Sequence, residues 1–176
     1  MHIEPSSRLQ GLYHIHLNAH SDTRGIFLET FRQSVLGQIP EWGPVVQMNL
    51  SHSLPGVIRG LHYQTAPHAQ GKLVLCLAGE IVDIALDMRP GSPTFGEWES
   101  VVLTGTTQAV FMAPGFAHGF EALGADNWVH YLMTDSEYRP EAERGVAYDD
   151  PTLNIPWQTQ SPCVSEKDRQ WPKLKS

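Results

Sequence analysis

Cysteine is scarce: only Cys76 and Cys163 occur in 176 residues. Two cysteines in a chain this long do not build a disulfide framework. Cys76 lies inside the apolar run Leu73-Val74-Leu75-Cys76-Leu77 and reads as a buried thiol. Cations are scarce too. Twelve Lys and Arg stand against nineteen Asp and Glu, a formal net charge of −7. That balance argues against a nucleic-acid partner, because phosphate binding needs a net basic surface. It leaves room for an anionic small molecule, provided the few cations gather in one cleft. No apolar run is long enough to cross a bilayer, so no membrane partner is expected. The first residues lack the basic and hydrophobic blocks of a signal peptide, and the cytoplasm is the expected location. Helical signal is sparse, and neither a low-complexity tract nor an internal repeat breaks the chain.

What the sequence does have is glycine and proline, 15 and 13 of them, which favour many short elements joined by turns. Strand-like stretches recur at Gly11 to Leu17, Gly25 to Phe31, Val45 to Ser51, Val57 to His62 and Lys72 to Leu77. They continue at Ile81 to Met88, Trp98 to Thr104, Gln108 to Ala113, His118 to Leu123 and Trp128 to Met133. Turn signals such as Leu54-Pro55-Gly56, Arg89-Pro90-Gly91-Ser92-Pro93 and Ala113-Pro114-Gly115 separate them. The pattern predicts an all-β sandwich or barrel over the whole chain as a single domain. Short peripheral helices are expected at Ser34 to Ile39 and after Ser165, where Ser165-Glu166-Lys167-Asp168 has the spacing of a capping box. In two strands the polar positions share one side: Gln47 with Asn49, and Asp83 with Asp87. Such a side faces water or, in a small barrel, lines a ligand cavity.

The remaining polar signal sits beside glycine. Gly56-Val57-Ile58-Arg59-Gly60-Leu61-His62-Tyr63-Gln64 places Arg59 and His62 where a bulge or a close-approaching ligand is possible. Lys72 opens an apolar strand after Pro67-His68-Ala69-Gln70-Gly71, and His118 stands between glycines and aromatics in Pro114-Gly115-Phe116-Ala117-His118-Gly119-Phe120. Taken singly, a strand histidine is more often structural, and a strand-end lysine more often snorkels. The order of the blocks carries more weight than any one of them.

Those blocks resemble the dTDP-4-dehydrorhamnose 3,5-epimerase family. The match runs through Arg24-Gly25-Ile26-Phe27-Leu28-Glu29, Gly56 to Gln64, Ala69 to Leu73, Gly91-Ser92-Pro93-Thr94-Phe95-Gly96 and Pro114 to Phe120. It continues through Pro140 to Gly145, Asp149-Asp150-Pro151 and Ser165 to Asp168. The resemblance implies a cupin-type antiparallel β-barrel or jelly roll, no metal or other cofactor, and a homodimer that exchanges an N-terminal strand. It implies His62 as catalytic base, Asp168 as its paired carboxylate and Lys72 near the substrate's C4 oxygen. Arg24, Phe27, Glu29, Gln47, Asn49, Arg59, His118, Tyr138 and Glu143 fall where the family holds the nucleotide, diphosphate or sugar, some of them for the partner's site. The family's catalytic tyrosine falls on Tyr131 when counted forward from His118, and on Leu132 when counted back from Tyr138. The forward count is preferred, because an extra residue in the following turn is easier to absorb than a lost acid. A one-residue slip would turn the side chain to the other face.

The implied chemistry suits these residue types. Inverting a carbon beside a ketone takes a base on one face, an acid on the other, and a donor at the enolate oxygen. Histidine suits the base near neutral pH, a carboxylate would orient it, and Arg24 and Arg59 would fork onto a diphosphate. Three other readings stay open. A relative of the same fold can invert a single centre. A metal-dependent cupin would need several His and carboxylate ligands, and His14-Ile15-His16 has the spacing but not the place. A non-catalytic sugar-nucleotide-binding barrel would not need a base–carboxylate pair.

Overall fold

The computed structural model describes residues 1–174. Two antiparallel sheets face one another. One runs β1 (His2–Pro5), β2 (Leu12–His16), β10 (Gln108–Met112), β7 (Gly71–Ala78), β12 (Asn127–Thr134), β5 (Val45–Ser53). The other runs β13 (Glu143–Gly145), β6 (Val57–Gln64), β11 (Phe116–Ala122), β8 (Glu80–Asp87), β9 (Trp98–Thr104). A two-residue strand, β14 (Cys163–Val164), lies parallel to β6. A separate hairpin pairs β3 (Ala19–Asp22) with β4 (Gly25–Leu28). The helices are single turns, α1 (Gln33–Leu36) and α2 (Glu166–Arg169). This is the cupin-type barrel that the resemblance implies. Each of the ten strand-like stretches of the sequence contributes a strand. The strands that pattern reading missed, β1, β3, β13 and β14, span two to four residues, too short for alternation to show.

Alternation divides the core. Side chains pointing between the sheets include Leu12, Val74, Cys76, Ile81, Ala85, Val110, Phe116, Phe120, Val129 and Tyr131. The next residues along the same strands point outward, where Leu73, Leu75, Phe111 and Leu132 meet Leu36 of α1. Leu61, Ile84, Leu86 and Ala117 back the second sheet against the C-terminal segment around Val146 and Leu153. β7 is therefore covered on both faces, which explains its unbroken apolar run. Full burial of a Phe such as Phe111, Phe116 or Phe120 is worth about 1.5–3 kcal/mol over exposure. The Cys76 thiol is buried, as the sequence led one to expect.

Both strands with a polar side turn that side inward. On β8, Asp83 and Asp87 are fully buried. Asp87 accepts hydrogen bonds from Arg89 Nε at 2.9 Å, Ser92 Oγ at 2.6 Å and Thr94 Oγ1 at 2.7 Å, pinning the turn that follows the strand. Burial alone would push its pKa up; these donors outweigh it and bring the carboxyl down to about 2. On β5, Gln47 and Asn49 turn toward the cavity, while Val46, Met48 and Leu50 are left exposed on the outer side.

Candidate active site

Between the sheets lies a cavity of about 200 Å³ whose lining includes Asn49, Arg59, His62, Lys72, His118, Tyr131, Tyr138 and Glu143. β6 supplies Arg59 and His62, β11 His118, β7 Lys72, β12 Tyr131, β5 Asn49 and β13 Glu143. Two glycines let β6 and β11 close behind it. A Cβ on Gly60 would sit 2.5 Å from Gly119 Cα, and one on Gly119 2.7 Å from the Arg59 carbonyl, so neither strand tolerates a side chain here. Beside that contact His62 and His118 are direct cross-strand partners.

His62 Nε2 lies 3.2 Å from Asp168 Oδ1. Asp168 is held in turn by the Gly60 N–H at 3.3 Å and by Trp171 Nε1 at 3.2 Å. It sits on α2, whose first turn is capped by Ser165 Oγ accepting from the Asp168 N–H at 3.1 Å. Burial pushes the Asp168 carboxyl upward in pKa, but the His62 hydrogen bond and charge, with the Gly60 and Trp171 donors, hold it below the ordinary range. With Nε2 against the carboxylate, Nδ1 is the imidazole nitrogen left for the cavity.

Lys72 is buried and its Nζ donates to the His62 carbonyl at 2.9 Å. Desolvation draws its pKa down to about 8, against the pull of Glu143 and Asp83. His118 Nε2 lies 2.6 Å from Asp83 Oδ2, both groups almost wholly buried. Burial pushes the His118 pKa down although Asp83 opposes it. The other Asp83 oxygen, Oδ1, is buried without a hydrogen-bond partner among the described residues. Tyr131 Oη lies 2.9 Å from Ser51 Oγ, and burial pushes the phenol's pKa well up.

The rim is a polar network. Gln47 Nε2 donates to Asn49 Oδ1 at 2.9 Å and Gln47 Oε1 accepts from the Tyr138 N–H at 2.8 Å. Tyr138 Oη donates to Glu143 Oε2 at 2.7 Å, and Lys167 forms an ion pair with the same carboxylate. Arg59 is aimed by Ser53 Oγ and the His52 carbonyl, both at 3.0 Å.

The structure decides which of residues 131 and 132 faces the cavity. Tyr131 does; Leu132 packs on the outer side with Leu73 and Phe111. Pairing of β12 with β5 is regular through Tyr131↔Asn49, Leu132↔Met48 and Met133↔Gln47, and shifts only afterwards. The turn beyond contains Asp135 at φ +73°, so the irregularity against β5 falls after the tyrosine, while against β7 the register shifts earlier, between Trp128 and Val129. Arg24, Phe27 and Glu29 are not brought to this cavity. They lie on or beside the β3–β4 hairpin, where Arg24 pairs with Asp22 and Glu29 with Arg32 and Phe27 is 70% exposed. Asp83, noted from sequence only as a polar strand position, stands beside the site, as do Ser51 and Lys167, which were not singled out from sequence for it. Ser51 continues the Gln47, Asn49 side of β5, and Lys167 precedes Asp168, so spacing held a signal for both. Among the described residues no three His, Cys, Asp or Glu side chains gather as metal ligands would. His14 lies against Glu99 at 2.9 Å and His16 is 4.0 Å from Glu4. No helix is long and apolar enough to cross a membrane.

Comparison with known proteins fits this geometry. Residues 6–176 match the family described as dTDP-4-dehydrorhamnose 3,5-epimerase. A dTDP-4-dehydrorhamnose 3,5-epimerase from Methanothermobacter thermautotrophicus is 41% identical over 95% of this chain and 91% of its own. Among solved structures, the Legionella pneumophila dTDP-6-deoxy-D-glucose-3,5-epimerase in complex with dTDP-4-keto-L-rhamnose aligns with a TM-score of 0.89 and 40% identity, over 98% of this chain and 92% of that one. ChmJ, a 3'-monoepimerase from Streptomyces bikiniensis in complex with dTDP-quinovose, aligns with a TM-score of 0.89 and 35% identity, over 96% and 86%.

Proposed function

The chain belongs to the dTDP-4-dehydrorhamnose 3,5-epimerase family, and from that premise we propose that it inverts C3 and C5 of dTDP-4-dehydro-6-deoxy-D-glucose through an enolate, as a step of rhamnose-type deoxysugar biosynthesis. One observation carries the reading beyond family membership: His62 stands on one sheet and Tyr131 on the other, with the cavity between them. A sugar ring lying there has a base on one face and an acid on the opposite face, the arrangement that inversion requires.

The carbons flanking the C4 ketone carry acidic hydrogens, so no metal or organic cofactor is called for. His62 takes the proton at Nδ1, and Asp168 behind Nε2 stabilises the imidazolium. The electron pair moves to O4, where the Lys72 ammonium meets the growing charge; a single donor at such a position is typically worth about 10²–10³ in rate. Tyr131 delivers a proton to the other face. Arg59, Asn49, His118, Gln47, Tyr138 and Glu143 hold the sugar and nucleotide diphosphate, which is how an acidic protein binds an anionic ligand.

The reading extends to a homodimer. Val46, Met48 and Leu50 form an apolar outer face on β5, and Ile26 and Phe27 stand exposed on the hairpin. A second copy with exchanged N-terminal strands would cover such surface and bring Arg24, Phe27 and Glu29 to the partner's cavity. Free Cys76 and Cys163 suit a reducing cytoplasm, and residues 1–176 are read as one domain.

The test is NMR of the substrate with the protein in D₂O, with a reductase drawing off the product. Deuterium at both C3 and C5 is expected. Incorporation at one carbon would favour the second reading, a single-centre epimerase, to which the shared barrel of the 3'-monoepimerase lends support. Incorporation at neither would reject the substrate and favour a binding role.

A further inference from the structure

We propose that Ser51 is a positioning residue for the acid: its hydroxyl holds the Tyr131 phenol and stabilises the phenolate left when the proton departs. The inference rests on the reading of Tyr131 as the acid and goes beyond it.

Tyr131 enters the cavity from β12 with its ring packed edge-on against His118, centroids 6.0 Å apart, in the core between the sheets. The ring is thus fixed, but the phenol's O–H rotor is not fixed by packing. Among the described residues the side chain hydrogen-bonded to Tyr131 Oη is Ser51, at 2.9 Å. Ser51 stands on β5, the neighbouring strand, opposite Val129 and on the side of Gln47 and Asn49. It does not line the cavity itself; it stands behind the phenol.

A phenolic oxygen offers one donor and two acceptor positions. When Ser51 donates to it, the phenol's own proton is free to point into the cavity. Burial pushes the Tyr131 pKa up, which makes a poor acid, and the Ser51 hydrogen bond opposes that push. In the transfer the Oη–H bond breaks, its proton forms a C–H bond with the enolate's electron pair, and the phenolate stays on Tyr131. The Ser51 O–H then donates to an anion in a dry site, where a hydrogen bond is stronger than between neutral groups. Solvent afterwards returns a proton to Tyr131 and accepts the one held by His62. β5 thereby aims two functional groups at once, since Ser53, two residues on, holds Arg59.

The test separates exchange from inversion. Exchange of substrate hydrogen for solvent deuterium on the His62 face needs the base alone, whereas inversion needs the acid. Ser51→Ala is expected to keep exchange near wild type and to lower inversion by about tenfold to a hundredfold, the loss of one hydrogen bond to a charged group. Ser51→Thr, which keeps the hydroxyl, should recover most of it. In a Tyr131→Phe background Ser51→Ala should add nothing, because it acts through the phenol. Wild-type inversion by Ser51→Ala beside a failing Tyr131→Phe would overturn the proposal alone. Equal loss of exchange and inversion in Ser51→Ala would also overturn it, marking Ser51 as general support. Wild-type inversion by Tyr131→Phe would remove the acid assignment and this inference with it.

Discussion

His62 and His118 sit opposite one another on adjacent strands, each with an aspartate behind it, yet they differ in access. The His62 side chain is 28% exposed and His118 only 5%. His118 is enclosed with Asp83 in the core, whereas His62 is the more open of the two, so the two pairs divide the work. His62–Asp168 is placed to carry a proton. His118–Asp83, its imidazole kept toward neutrality by burial, is placed to position substrate.

His62→Ala is therefore expected to abolish deuterium exchange while the protein stays folded by circular dichroism. Asp168→Asn keeps the shape of the carboxylate but not its charge, and should lower the rate on the order of 10³–10⁴-fold, as removing the charge behind a catalytic imidazole does elsewhere. Exchange by His62→Ala at the wild-type rate would take the base role from His62.

Lys72 gives the pH dependence a direction. A lysine is cationic below its pKa, and desolvation sets this one at about 8. The cation at O4 is present below that pH and lost above it, so kcat/KM should fall as pH rises through about 8. Bound substrate brings negative charge, which favours the ammonium, so the limb in kcat should lie higher. Lys72→Arg, always charged, should remove the limb along with much of the rate; a limb unchanged in that variant would assign it to another group.

Asp87 gives stability a direction of its own. Its folded pKa is depressed, from 3.8 to about 2, so its contribution is present above pH 3.8 and is lost as pH falls toward 2. The shift corresponds to about 2 kcal/mol. Denaturant midpoints at pH 6 and pH 2.5, compared between wild type and Asp87→Asn, should converge at the lower pH; a constant gap would show that the Arg89, Ser92 and Thr94 contacts do not depend on the charge.

The proposed dimer has a complementation test. If Arg24 serves the partner's cavity, a heterodimer of one Arg24→Ala and one His62→Ala subunit has one cavity with both defects and one with neither. Mixing the two inactive proteins after mild dissociation should restore activity. If Arg24 serves its own cavity, both cavities stay defective and mixing restores nothing. Met48→Glu with Leu50→Glu should shift the protein to monomer by sedimentation.

Sequence reading went far where a residue's neighbours along the chain determine its place. Ten strands and the Ser165 cap were legible, because period-two alternation and cap spacing are local; the gathering of His62, Lys72 and His118 was implied only by the family resemblance. The register at Tyr131 was not, since counts from two landmarks disagreed by one; it took the pairing with Asn49 to show which side chain faces in. On β5 alternation was clear but its sense was not. Val46, Met48 and Leu50 lie outward, and nothing local distinguishes an apolar face for a core from one for another chain. Asp83 was visible as a polar position, yet its pairing with His118 joins residues 35 apart in sequence.

Lys167 and Asp168 are consecutive, one tied to the rim at Glu143 and the other standing behind His62. Both ride on a four-residue helix that belongs to neither sheet. On the proposed chemistry, a shift of that single turn would loosen the cavity's rim and unseat the base together. The boundary between a protein that merely holds a sugar nucleotide and one that transforms it would then lie in one short helix outside the barrel's sheets.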